Sequence, residues 1–247
     1  MPSKNQSMSL DLNKPKVSVR VLDRAISDFG TTYAEQKCLV EKKKMDTSLP
    51  DYLIWVEHPD VYTCGRKVTL SEEELSVLKA LAPVYQIERG GEVTFHTLGQ
   101  LVCYPIFSLK KSEQSIPDFL RGLEESIMRM LLQFEVETFR KQNATGVWLM
   151  HQERERKIAS IGISFSSWVS YHGAALNVSN DLSGFRWIKP CGFESGVMIS
   201  MKEVLSLKTN RLPSMNEIKE AWLSQLLSIF HRTIVFCFIF GFVFVNC

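Results

Sequence analysis

The sequence predicts a single domain of the α/β or α+β class. Segments with the two-residue alternation of strands take turns with segments whose apolar residues recur at helical spacing. At 247 residues the chain is long enough to bury a substantial core in one large domain. Its 45% hydrophobic and 23% charged residues are ordinary values for a globular protein.

The N-terminal half is predicted to alternate strands with two helices. The first helix, residues 23–43, has three lysines near its end and an apolar face formed by Ile26, Phe29, Tyr33 and Val40. The second opens at Ser71, whose spacing from Glu74 is that of a capping box, and ends near Ala82. The strands are predicted at residues 17–22, 52–57, 84–88 and 101–107.

The C-terminal half is predicted as a helix, three strands and a last helix. Asp118 is predicted to cap the first of these helices, and Ser214 with Glu217 forms a capping box before the last one. The apolar stripe of the first helix is Leu120, Leu123, Ile127, Leu131 and Phe134. The strands are predicted at residues 146–150, 157–163 and 168–178.

Charge and cysteine usage exclude several classes of protein. The 29 basic and 27 acidic side chains give a net charge of +2, which is too balanced for the broad basic surface that nucleic-acid binding needs. The six cysteines form neither a C-x-x-C pair nor a tight cluster, so no zinc site or disulfide framework is expected. A reducing compartment fits this pattern.

The two ends of the chain differ from the region between them. Residues 1–16 lack the apolar stretch of a secretion signal and are predicted as an N-terminal extension. Residues 231–247 form an apolar tail, in which a helix over residues 234–245 would span about 18 Å, against about 30 Å of hydrocarbon. A core strand or an aggregation-prone terminus is favoured over a membrane anchor. The domain itself is predicted at residues 17–230.

A glycine-rich loop at residues 89–100 is the first candidate site. Gly90 and Gly91 let the backbone approach a ligand without interference from Cβ atoms. Both sequence patterns typical of nucleotide phosphate binding, G-x-G-x-x-G and G-x-x-x-x-G-K-[ST], are absent. The alternative is a plain turn or bulge, with His96 as a hydrogen-bonded structural histidine.

Two later segments offer a lysine and a histidine. Lys157 opens an apolar strand, where its ammonium either reaches solvent or points into a pocket and exchanges protons there. His172 precedes the small residues Gly173, Ala174 and Ala175, which could wall a narrow apolar channel. Core packing explains these small residues nearly as well.

Cys191 lies between Pro190 and Gly192, which place it on a tight turn. A thiol on such a turn beside a lysine cation would be a nucleophile. The alternative is a small buried hydrophobic residue. Zinc shared with His96 and His172 is not expected, because no third ligand at a convincing spacing accompanies them.

Several ordered blocks together resemble the lipoyl(octanoyl) transferases, which are octanoyl-[acyl-carrier-protein]:protein N-octanoyltransferases of lipoate synthesis. The resemblance runs from about residue 17 to 230. It implies the biotin/lipoate protein ligase fold, with a mixed central sheet flanked by helices. The blocks are EHPDVYTCG at 57–65, RGGEVTFH at 89–96, GVWL at 146–149, RKIASIGI at 156–163, HGAALNV at 172–178 and PCG at 190–192.

The resemblance also implies roles for individual residues. Cys191 would carry the acyl group as a thioester, and Lys157 would favour the thiolate and shuttle the proton. Thr97 and Leu98 replace a Gly-Pro pair of the family, and Ala174 stands where leucine is common, so loop shape and chain-length preference depart from the family pattern. The implied substrate-binding residues, with His172 added from the residue pattern, are Arg89, Gly90, Gly91, Glu92, Val93, Thr94, Phe95, His96, Ser160, Ile161, Gly162, His172, Gly173, Ala174 and Ala175.

The implied activity is octanoyl transfer from octanoyl-acyl carrier protein to a lysine of lipoyl domains, without cofactor or metal. The acceptors would be the lipoyl domains of 2-oxoacid dehydrogenase complexes and the H protein of glycine cleavage. Two rivals are an ATP-dependent lipoate or biotin ligase, which needs no cysteine nucleophile, and a non-catalytic acyl-binding scaffold. A monomer in the mitochondrion is expected, with the cytoplasm as the alternative.

Overall fold

The computed structural model describes residues 17–188, 195–208 and 211–235. Cys191, the N-terminal extension 1–16 and tail residues 236–247 lie outside the described residues. Within the described ranges, none of the helices combines the length and apolarity needed to cross a bilayer.

The described strands form two sheets, the larger of which is mixed. Its order is β11-β1-β2-β6-β10-β9-β8-β7, and the smaller sheet has the order β4-β3-β5. In the larger sheet β1 pairs in parallel with β2 and β11, and the other pairs are antiparallel. The strands are β1 (Val17–Ile26), β2 (Asp51–Glu57), β3 (Val61–Cys64), β4 (Val84–Gln86), β5 (Thr94–His96), β6 (Gln100–Ile106), β7 (Phe139–Lys141), β8 (Ala144–His151), β9 (Arg154–Ser166), β10 (Val169–Asn177) and β11 (Arg232–Ile234).

Helices cover both faces of the larger sheet, which confirms the predicted α/β class. Successive side chains of a strand point to opposite faces, so Trp55 of β2 packs against Trp222 on one face while Ile54 packs beside Leu39 on the other. Full burial of each such side chain contributes about 1.5–3 kcal/mol. The helices are α1 (Phe29–Met45), α2 (Glu72–Leu81), α3 (Ile116–Gln133), α4 (Met201–Ser206) and α5 (Met215–Ile229).

Two helix starts differ from their predictions. α1 begins at Phe29 behind the N-cap Asp28, because β1 continues to Ile26 and pairs there with Glu57. Ile26 is therefore an exposed strand residue and does not belong to an apolar helix face. The predicted cap of α3 at Asp118 was also wrong, since the hydroxyl of Ser115 accepts the Asp118 backbone N–H. Both predicted capping boxes are confirmed.

Strand β11 carries the sheet beyond residue 230, into the segment predicted as tail. Arg232 donates from Nε to Asp51 Oδ2 at 2.8 Å, and Lys43 Nζ lies 2.8 Å from Asp51 Oδ1. These three charged side chains are almost completely buried. Since a buried carboxylate without a cation is strongly destabilising, the pairing ties β11 to the end of α1 and to β2.

Candidate functional site

A cavity lies between the loop that follows β4 and the facing strands β9 and β10. Every predicted substrate-binding residue except Phe95 lines it. Phe95 points to the opposite side of β5 from its neighbours and packs against Tyr62 and Phe185. The lining residues are Phe29, Thr63, Ile87, Arg89, Gly90, Gly91, Glu92, Val93, Thr94, His96, Val102, Tyr104, Ser160, Ile161, Gly162, His172, Gly173, Ala174 and Ala175.

Two paired glycines allow close approach of the cavity walls. Gly162 and Gly173 are opposite each other in the β9–β10 ladder. A Cβ atom on Gly173 would lie 2.0 Å from the carbonyl oxygen of Cys103, and one on Gly162 would lie 2.9 Å from Arg89 Cδ. Larger residues at these positions would therefore displace β6 or the glycine-rich loop.

The guanidinium of Arg89 fixes the glycine-rich loop from inside. It is 8% exposed, and its Nη2 donates to Thr63 O at 2.6 Å while Nη1 donates to Gly90 O at 3.0 Å. Gly91 has a φ of +87°, in the left-handed region that favours glycine. A Cβ atom on Gly65 would lie 1.9 Å from the Gly91 oxygen, so the loop packs directly on backbone.

Thr97 and Leu98, which replace the Gly-Pro pair of the family, lie in a loop that hydrogen bonds anchor. The hydroxyl of Thr97 donates to Asp60 Oδ1, and the next glycine, Gly99, donates its N–H to Glu57 at 2.9 Å. Leu98 is 46% exposed and points away from the core. These hydrogen bonds therefore fix the loop after His96, although its sequence departs from the family pattern.

A chain of buried amides orients His96. Its Nδ1 lies 2.7 Å from Gln100 Oε1, so Nδ1 carries the proton and Nε2 is left as an acceptor. Gln100 donates to Asn177 Oδ1 at 2.9 Å, and Asn177 donates to the carbonyl of Ile199 at 3.1 Å. The sequence reasoning missed Gln100 and Asn177, which are the first residue of β6 and the last residue of β10.

Three histidines beside the cavity are uncharged at neutral pH. Burial, helped by repulsion from neighbouring positive groups, lowers the pKa of His96 and of His172 to about 3. Burial lowers the pKa of His58 to about 4. Its Nδ1 lies 2.7 Å from Ser27 O, and its Nε2 lies 2.9 Å from the Tyr104 hydroxyl, which donates to it. Groups with such low pKa values are weak bases at neutral pH.

His172 has an unusual position. Its backbone is left-handed, with a φ of 58°, and its N–H donates to Gln36 Oε1 at 2.8 Å. The ring stacks on Tyr33, and Nε2, which has no hydrogen-bond partner among the described residues, lies 3.9 Å from Glu88 Oε2. His172 therefore lines the cavity, while its buried Nε2 lies towards Glu88.

Lys157 is completely buried, so the alternative in which it reaches solvent is wrong. Its Nζ donates to the carbonyl of Thr145 at 2.8 Å and lies 5.5 Å from the centre of the Trp148 ring. Lys157 is three residues before the cavity-lining Ser160 on β9, which is about 10 Å along a strand.

The chain beyond Cys191 returns to Lys157. The N–H of Ile199 donates to Lys157 O at 3.0 Å, and Met198 forms a parallel bridge with Lys157. Met198 is seven residues after Cys191, a separation that an extended chain spans with at most about 25 Å. Contact between the Cys191 thiol and the Lys157 amine stays a prediction.

The described residues give less support to a metal site or to a nucleophilic thiol other than Cys191. Within residues 17–188, 195–208 and 211–235, no three His, Cys, Asp or Glu side chains form a group that could hold a metal ion. Cys64 and Cys103 are buried free thiols, and burial raises the pKa of both. Neither is therefore an activated nucleophile.

The fold and the sequence identify the family. The profile of the lipoyl protein ligase A/B catalytic domain matches residues 29–227. The chain belongs to this family, as the ordered sequence blocks indicated.

The names of curated relatives are more specific than the description of the family. An octanoyltransferase of Synechococcus elongatus is 40% identical over 176 residues, which cover 71% of this chain and 74% of the relative. The octanoyltransferase of Bacteroides fragilis is 39% identical and covers 77% and 86%. That of Cytophaga hutchinsonii is 36% identical and covers 86% and 93%.

Solved structures of lipoate ligases share the architecture. A lipoate-protein ligase A bound with ATP has a TM-score of 0.62 and 13% identity, covering 90% of both chains. An archaeal lipoate protein ligase from Thermoplasma acidophilum has a TM-score of 0.60 and 15% identity, covering 89% of this chain and 88% of that one. At these identities the likeness shows the fold alone.

Proposed function

We propose that the protein is an octanoyltransferase that acts in protein lipoylation. The observation that carries the proposal is that β9 bears the buried Lys157 three residues before Ser160, which lines a cavity whose wall includes four glycines and two alanines. Curated relatives with 36–40% identity bear the name octanoyltransferase. Burial of an acyl chain in such a cavity supplies affinity at about 0.8 kcal/mol per methylene.

The proposed mechanism has two halves. Lys157 holds the proton of the Cys191 thiol as an ammonium, and the Cys191 thiolate attacks the carbonyl carbon of the octanoyl thioester. The bond from that carbon to the donor sulfur breaks, and the Lys157 ammonium protonates the leaving thiolate. The amine of the acceptor lysine then attacks acyl-Cys191, Lys157 accepts its proton, and the Cys191 thiolate leaves as the amide forms.

The donor in this scheme is octanoyl-acyl carrier protein, and the acceptors are lipoyl domains of 2-oxoacid dehydrogenase complexes and the glycine cleavage H protein. The reaction requires neither ATP nor a metal ion, because the thioester already activates the acyl group. We propose a monomer and a mitochondrial location. The alternative is the cytoplasm, and the relatives named above are bacterial.

Intact-protein mass spectrometry tests the acyl-enzyme. We expect incubation with octanoyl-acyl carrier protein, without acceptor, to add one octanoyl group at Cys191. The Cys103→Ala protein should gain the same mass, because Cys103 is buried in the core. An unmodified Cys191, full transfer activity of Cys191→Ala, or transfer that requires ATP and free octanoate would refute the mechanism.

A glycine of the cavity wall and a glycine outside it provide a matched test of the acyl site. We expect Gly162→Ala to lower kcat/KM for the octanoyl donor by about tenfold, because its Cβ would press on Arg89 Cδ and on Gly90 O at 3.0 Å. Gly196→Ala is the control, since Gly196 does not line the cavity and a Cβ there meets no atom within 4 Å. Steady-state kinetics with varied donor measure both, and equal effects would argue against the cavity as the acyl site.

A further inference from the structure

A single peptide group lies between Lys157 and a buried carboxylate. The carbonyl oxygen of Thr145 accepts a hydrogen bond from Lys157 Nζ at 2.8 Å. The N–H of the same peptide group, that of Gly146, donates to Glu124 Oε1 at 3.0 Å. The peptide therefore links the ammonium on β9 to a carboxylate on α3, two groups that do not touch directly.

Glu124 is held for this contact by two cations. Its side chain is 1% exposed, and its other oxygen, Oε2, lies 2.6 Å from Arg121 Nη1 and 3.2 Å from Arg140 Nε. One oxygen thus serves the ion pairs and the other faces the peptide. Because the partners compensate its charge, a carboxylate can be kept in the core at this point.

Gly146 makes the approach possible. Its φ of +130° is in the region that residues with a Cβ rarely adopt. A Cβ atom there would lie 2.5 Å from Lys157 Cε and 3.1 Å from Nζ. The close contact of the Lys157 side chain with this peptide therefore depends on glycine.

Hydrogen bonds at the two ends of a peptide strengthen each other. A carboxylate that accepts a hydrogen bond from the N–H polarises the peptide group, so the carbonyl oxygen becomes a better acceptor. The effect is larger in a buried setting. We propose that Glu124 is a positioning residue, which holds the Lys157 ammonium in place through the Thr145–Gly146 peptide. The consequence for catalysis rests on the proton-shuttling role of Lys157 in the proposed function.

Kinetics of Glu124→Gln test the proposal. Glutamine keeps an oxygen that can accept the Gly146 N–H but removes the charge. We expect kcat of the full-length protein to fall by about tenfold, which equals about 1.4 kcal/mol, with KM for donor and acceptor changed by less than about twofold. A purely structural role would lower the melting temperature without this split between kcat and KM.

Glu125→Gln is the matched control. Glu125 is the next residue of α3 and shares Arg140 as an ion-pair partner, but its carboxylate makes no contact with Gly146 among the described residues. We expect its kcat to equal that of the unmodified protein. Equal kcat values for the two glutamine variants would overturn the proposal.

A second measurement does not depend on acyl transfer. Nuclear magnetic resonance of the Lys157 ammonium should show faster exchange of its protons with water in Glu124→Gln and unchanged exchange in Glu125→Gln. Unchanged exchange in both variants would overturn the positioning role, whereas altered exchange with no transfer activity in any protein would refute the proposed function alone.

If Glu124→Gln does not fold, variants of two surface arginines can be used in its place. Arg121 pairs with Glu124 and is 55% exposed, while Arg129 pairs with Glu125 and is 52% exposed. We expect Arg121→Gln to speed the exchange of the Lys157 protons, to a smaller degree, and Arg129→Gln to leave it unchanged. No difference between the two would contradict the proposal.

Discussion

We expect Lys157→Met to lower kcat for octanoyl transfer by about a thousandfold. General acid–base groups contribute about a hundredfold to ten-thousandfold, and Lys157 moves the proton in both halves of the proposed reaction. Methionine has a similar length and is apolar, so it fits the fully buried site beside Trp148. Single-turnover experiments should show that acylation of Cys191 and transfer to the acceptor lysine are both slow.

Lys141→Met is the matched control for this prediction. Lys141 lies over the same Trp148 ring, at 4.8 Å from its centre, but pairs with Glu155 at the surface. We expect its kcat to change by less than about twofold. A Lys157→Met protein that keeps near-normal activity, or a Lys141→Met protein that loses as much, would remove Lys157 from the mechanism.

Local signals predicted the helices and strands where they were strong. The capping boxes at Ser71 and Ser214 each fix a helix start because the required side chains are three residues apart in the chain. The start of α1 was missed because pairing of β1 with β2 holds residues up to Ile26 in the sheet. Tertiary pairing of this kind has no local sequence pattern.

Short strands were missed for a related reason. Strands β3 and β5 form the smaller sheet with β4, and their three or four residues are too few to show a periodicity. The edge strand β11 depends on the buried ion pair between Arg232 and Asp51, which are distant in the chain. Such contacts exist only in the folded protein.

The cavity was more predictable than its supporting groups. Glycine and alanine blocks indicated where backbone would approach backbone, and the structure brings those blocks together. The sequence did not single out Gln100, Asn177 or Glu124, because a polar residue in a strand or helix is usually exposed. Their burial, and hence their role, follows from the packing of other elements around them.

Acid should destabilise this protein strongly through its buried histidines. His58, His96 and His172 have pKa values lowered to about 4, 3 and 3 in the folded state, against about 6.5 when unfolded. The unfolded chain therefore binds more protons as the pH falls below about 6.5, and stability that is complete above this pH is lost toward pH 4. With three such groups, the free energy of unfolding should fall by up to about 4 kcal/mol per pH unit.

Urea unfolding at a series of pH values between about 7 and 4 measures this slope, and His172→Asn should make it shallower by about a third. Asparagine tolerates the left-handed backbone at this position, where φ is 58°, but does not titrate. His231→Asn is the matched control, because His231 also has a left-handed backbone, with a φ of 51°, and is only partly buried. If His172→Asn kept the full slope, or the unmodified protein showed none, the buried histidines could not be the source of acid sensitivity.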